Sequence, residues 1–152
     1  MRALILIALT ATLSGCSSVN AEPQIVQSCA AEKRIAMEGQ INCLGGDPAV
    51  VAGLPDWAKP PAGVKLRSTS VSTPSGPYHI GYVGEFQGPM SQIKPLYIAQ
   101  LKSVPEMNAR DVHPALFLAR KDGDPAGSMM TLTEQGTSAG EKLVEIQVLH
   151  RP

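Results

Sequence analysis

Aromatic residues are scarce, with one tryptophan, three tyrosines and two phenylalanines in 152 residues. Any core must therefore be built mainly from aliphatic side chains. Net charge is also lacking, because 13 basic groups balance 13 acidic ones. A chain without a basic excess has no electrostatic footprint for nucleic acid, and that class of partner is excluded. There is no Gly-x-Ser-x-Gly elbow and no Cys-x-x-Cys pair. No apolar run approaches the roughly 20 residues that a membrane-spanning helix needs. Internal repeats and low-complexity blocks are absent as well.

What is present begins at the first residues. Arg2 precedes a short apolar run, Ala3 to Leu9, and Leu13-Ser14-Gly15-Cys16 follows. A basic start, an apolar stretch and then small residues is the order of a secretory signal. With a cysteine closing it, Leu13-Ser14-Gly15-Cys16 resembles the lipobox of bacterial lipoproteins. The resemblance covers residues 1–16. It implies that residues 1–15 are a signal peptide, that the Cys16 sulfur receives a diacylglyceryl group, and that the new amino terminus is acylated. One acyl chain holds a protein on a bilayer only marginally, whereas several hold it firmly. Ser17 stands after the cysteine instead of the aspartate of an inner-membrane retention signal, which implies the outer membrane, facing the periplasm. The rival site is Val19-Asn20-Ala21, an ordinary small-x-small cleavage pattern that would release a soluble secreted or periplasmic protein. The lipobox is favoured because it lies closer to the apolar run.

Cysteine parity fits the same reading. The chain carries Cys16, Cys29 and Cys43. Lipidation of Cys16 leaves one pair, and export places it in an oxidising compartment, so a Cys29–Cys43 disulfide is expected. Such a loop of about 15 residues is worth roughly 3 kcal/mol on the chain-entropy model. Bridged Cα atoms lie within about 7 Å, whereas a continuous helix would hold these two about 21 Å apart. The chain must therefore reverse between them, with Gly39 as the breaker. Loss of residues 1–15 would leave 12 basic and 13 acidic groups.

Four regions follow: a signal peptide (1–15), a lipidated flexible tether (16–24), a disulfide-closed segment with a Pro/Gly-rich linker (25–63), and a folded domain (64–152). Residues 25–43 admit either a short helix or a hairpin. Residues 44–63 hold four prolines and four glycines, a density that reads as loop. From Val64 the apolar period becomes two. Strands are expected at residues 64–73, 78–86, 116–121, 128–133 and 144–148, with turns at residues 74–77 and 122–127. Ile93, Leu96, Tyr97, Leu101 and Val104 share helical spacing, with Ser91 as N-cap and Pro95 in or near the first turn. The expected class is α+β: a small antiparallel β-β-α-β-β-β sheet with one amphipathic helix packed on one face.

The candidate chemistry is sparse. Serines are plentiful and His79, His113 and His150 are possible bases, but nothing marks a triad. His79 and His150 read as solvated, and His113 as a loop residue. Asp111 with His113 is a fragment of a metal site, and Asp122-Gly123-Asp124 lacks the later ligands of a calcium loop. Glu85, Glu134, Glu141 and Glu145 are scattered. Trp57 and Met130 are possible partner contacts, each with a core role as the plainer alternative; of Met129 and Met130, only one can face the core. No cofactor is expected. The expectation is a non-catalytic, lipid-anchored envelope protein for binding or assembly, its partners being the membrane through the anchor and an envelope protein or peptidoglycan. The alternative is a small envelope hydrolase.

Overall fold

Alternation at period two becomes strand wherever one side of a segment can be buried. In the computed structural model, which describes residues 29–37, 39–72, 79–121, 123 and 127–151, eight segments do so. They are β1 (Arg34–Met37), β2 (Gln40–Leu44), β3 (Lys65–Ser72), β4 (Ile80–Gln87), β5 (Met107–His113), β6 (Leu116–Lys121), β7 (Met129–Gly136) and β8 (Lys142–His150). The lipobox, Cys16, the tether, residues 74–77, Asp122 and Asp124 lie outside the described residues.

All eight strands join one open sheet in the order β1-β2-β3-β4-β8-β7-β6-β5, every neighbour antiparallel. The fold is thus α+β, as the sequence implies, but with eight strands instead of five. Helix α2 (Met90–Leu101) carries the chain across one face, from β4 in the middle to β5 at the far edge. A helix of 12 residues is about 18 Å long, close to the roughly 19 Å of the four inter-strand steps it crosses.

For residues 25–43 the described part takes the hairpin. β1 and β2 reverse at Gly39, whose φ of 76° suits a residue without a side chain. Cys29 and Cys43 are bridged, with Cα atoms 5.9 Å apart. Arg34 Nη2 donates to the Cys29 carbonyl at 3.0 Å, so the lead-in is held at two points.

Residues 48–58, expected as loop, are partly helical. Asp47 caps α1 (Pro48–Ala52) by accepting from the Ala49 N–H at 2.9 Å, and Pro48 opens the helix where its missing N–H costs nothing. A short 3-10 helix at Asp56–Ala58 follows. Val50, Leu54, Trp57 and Ala58 join Ile80, Tyr82, Phe117, Leu132, Val144, Ile146 and the α2 residues in one core. The breakers bend this segment repeatedly, and each bend returns an apolar side chain to the sheet.

Helix α2 departs from expectation in three ways. Its buried stripe is Met90, Ile93, Tyr97 and Leu101, while Leu96 is 46% exposed. Spacing of three or four fits both Leu96 and Tyr97; the ring reaches deeper into the sheet and Leu96 turns outward. Ser91 is not the cap, because the helix already starts at Met90. Pro95 lies in the second turn, on the exposed side with Ser91, so the carbonyl it leaves without an N–H partner is open to water.

Leu101→Ala should lower the unfolding free energy by about 2–5 kcal/mol in denaturant melts. Leu96→Ala should change it by no more than about 0.5 kcal/mol. Replacing Cys29 and Cys43 together with serine should speed amide exchange through β1 and β2, while β4 and β8 keep their protection.

Candidate functional site

Helix α1, the 3-10 helix at Asp56–Ala58 and helix α2 pack on the sheet face that carries Ile80, Tyr82, Val144, Ile146 and Val148. Strand alternation puts the intervening residues on the opposite face. One row there runs Ser70, Gly81, Leu149, Met129, Arg120, Asn108, and the next runs Ser68, Val83, Gln147, Thr131, Leu118, Arg110. None of these three elements covers this open face.

A hollow of about 220 Å³ opens in it, lined by Asn42, Ser68, Ser70, Tyr82, Val83, Met129, Gln147, Val148 and Leu149. Tyr82 and Val148 turn their side chains to the core, so they offer backbone here. Gly81 lies among these strands. A Cβ built on it would run into the Val148 carbonyl oxygen, so the close approach of β4 and β8 admits glycine alone. The polar lining is uncharged: two hydroxyls and two carboxamides. Asn42 Nδ2 donates to Met37 Sδ at 3.3 Å and Gln147 Nε2 to Glu145 Oε1 at 2.7 Å.

Other candidates land elsewhere. Trp57 is 6% exposed and Met130 is 0%. Both lie in the core, the plainer of the two roles considered for them. The ring of Trp57 meets His150 edge-on at 5.9 Å. Of the pair Met129 and Met130, it is Met129 that lies half-buried on the open face. His79 is buried, not solvated, and its backbone N–H donates to Ser72 Oγ at 3.0 Å. His150 is also half-buried, with Nδ1 3.1 Å from Ser128 Oγ. That hydroxyl donates to the Arg151 carbonyl and accepts from the Arg151 N–H, both at 3.0 Å. Ser128 therefore clamps the end of β8, and its oxygen is already engaged.

Several charged groups are paired at the surface. Lys94 Nζ reaches both carboxylate oxygens of Asp111 at 2.6 and 2.8 Å and lies 5.6 Å from the centre of the Phe117 ring. His113 Nδ1 accepts from the Ala115 N–H. Glu85 pairs with Arg67. Among the described residues no three of His, Cys, Asp and Glu gather into a metal site.

Glu134, on β7, does structural work. One carboxylate oxygen takes Lys142 Nζ at 2.8 Å and the other takes the Met90 N–H at 2.6 Å. The acid on β7 thus caps α2, the role expected of Ser91. Lys142 first, then the Met90 N–H, hold this carboxyl below its usual range. Tyr82 and Tyr97 join hydroxyls at 2.7 Å inside the core, and burial pushes both well above the usual phenol value. Burial, reinforced by the positive charge of Lys121, lowers the pKa of His150.

Comparison of the chain with protein-family models, curated proteins and solved structures finds no match. The hollow could not be read from one sequence, because it joins residues of five strands. Its signals were a glycine inside a strand and serines alternating along β3.

The shifts of His150 and Glu134 act in the same direction. Each folded-state pKa lies below its unfolded value, so each stabilises the fold above that unfolded value and loses the contribution as pH falls. The melting temperature should begin to drop below about pH 6.5 as unfolded His150 protonates. A second fall should start near the ordinary carboxylate value of Glu134, 4.5. Melts of His150→Gln should lack the first step and those of Glu134→Gln the second.

Proposed function

We propose that this chain is a lipid-anchored, non-catalytic binding module of the cell envelope, held at the outer membrane and facing the periplasm. The observation that carries the reading is the placing of its cysteines. Cys16 closes a lipobox-like run, and Cys29 and Cys43 are bridged to each other. That leaves Cys16 as the remaining thiol, at the position where such a run would carry an acyl group. A structural disulfide also suits an oxidising compartment. Residues 17–24 are polar and supply a tether.

Support for binding over catalysis comes from how the reactive side chains are used. Ser128 and His150 clamp a strand end, Glu134 caps a helix, and Lys94 and Asp111 neutralise each other. The open sheet face, by contrast, has half-buried apolar groups and uncommitted polar ones. It is the surface that suits a contact.

Metabolic labelling with a fatty acid should tag the protein and Cys16→Ala should abolish the tag. Undiminished labelling of Cys16→Ala would reject the anchor site. Fractionation of the tagged protein should place it with the outer membrane; recovery in the soluble periplasmic fraction would favour cleavage after Ala21.

A further inference from the structure

The hollow on the open face is selective by its composition. No charged side chain lines it. Among the described residues the hydroxyls of Ser68 and Ser70 and the carboxamide oxygens of Asn42 and Gln147 make no hydrogen bond to protein, and each carboxamide nitrogen spends one of its two N–H donors, on Met37 Sδ and Glu145 Oε1. Groups of this kind, half-buried at Asn42, Ser68 and Ser70 and exposed at Gln147, take water when nothing else is present. A ligand that displaces the water must supply donors to two carbonyl oxygens, acceptors to the remaining amide N–H groups and partners to two hydroxyls. An anion would face carbonyl oxygens with no cation to balance it. A purely apolar group would leave all four unpaired.

Size narrows the class. The volume of about 220 Å³ exceeds the roughly 150 Å³ of an engineered cavity that takes benzene. It falls short of the roughly 300 Å³ at which drug-sized sites begin. One ring with small substituents fits. Val83, Met129 and Leu149 give the ring an apolar side to lie against. Because Gly81 cannot carry a side chain, the dent is fixed by the backbone rather than by a rotamer.

From these features we infer that the hollow binds one neutral sugar ring, its hydroxyl or acetamido groups bonded to Asn42, Ser68, Ser70 and Gln147. This rests on the reading of the chain as an envelope binding module and names the ligand class of its open face: an envelope glycan.

The test uses the full chain with labelled Val, Leu and Met methyl groups, titrated with N-acetylglucosamine and its linear oligomers. Saturable shifts are expected at Val83, Met129 and Leu149. Ser70→Leu, which fills the hollow from its side, should weaken binding by about tenfold or more with an unchanged melting temperature. Gln147→Ala and Asn42→Ala should each weaken it severalfold and serve if Ser70→Leu does not fold. Glucuronic acid should bind more weakly than its neutral counterpart. No shift at those three residues, or wild-type affinity in the Gln147 and Asn42 variants, would overturn the sugar site. Equal sedimentation of wild-type and Gln147→Ala protein with isolated peptidoglycan would overturn it too, while leaving the envelope-binding reading intact. Labelling at Cys16 reports on the anchor independently of both.

Discussion

The pairing of β4 with β8 holds the molecule together. It is the one junction in the sheet between strands that are not consecutive in the chain, and it runs from Ile80↔His150 to Gln87↔Leu143. On one side β1 to β4 form a meander; on the other β5 to β8 form a second. Each meander pairs strands that follow one another in the chain, although β2 reaches β3 only through the segment that holds α1, whereas β4 and β8 meet only after α2 and three further strands have been placed. Loop closure over that distance must precede any gain from the contact. Helix α2 secures it from above. Its stripe lies over the core strands, and the buried Tyr97 hydroxyl bonds to Tyr82 on β4. Glu134, reaching from β7 to the first N–H of α2, ties the helix to the second meander. Two polar contacts thus fix the helix to both halves, and hydrophobic burial between them does the rest.

The same junction shapes the open face. β4 and β8 approach so closely at Gly81 that no side chain fits there. On the covered face the approach is filled by Tyr82, Val148 and the residues above them. On the open face nothing fills it, and the dent remains. A tight central pairing and an adjacent hollow are two results of one geometric constraint.

Much of this was legible in the residues, and the failures have physical reasons. The strands at Ile80, Phe117, Met130 and Val144 alternate strongly because one face of each is buried. β5 does not alternate. Its residues after Met107 are all exposed at the sheet edge, so Asn108, Arg110 and Asp111 leave no apolar period to detect. α1 is only five residues long, too short for periodicity, although Asp47-Pro48 is a start signal. The stripe of α2 was placed on the wrong leucine because spacing alone cannot rank Leu96 against Tyr97. The cap was missed because the acid that makes it lies 44 residues away. Local rules find elements; they do not find partners that the topology brings together. The hollow is of that second kind.

An open sheet has two edges, and exposed edges invite pairing with other chains. Here each is blunted by different means. β1 is four residues long, and the disulfide and Arg34 hold its lead-in close, so little straight backbone is on offer. β5 is longer, but a register shift between Asp111 and His113 interrupts its ladder. Arg110 and Asp111 add charge there, and Asp111 is tied across to Lys94 on α2. Edges so disposed resist strand addition. That leaves the broad open face, with its half-buried Val83, Met129, Leu118 and Leu149, as the surface where the proposed recognition would take place without polymerising the sheet.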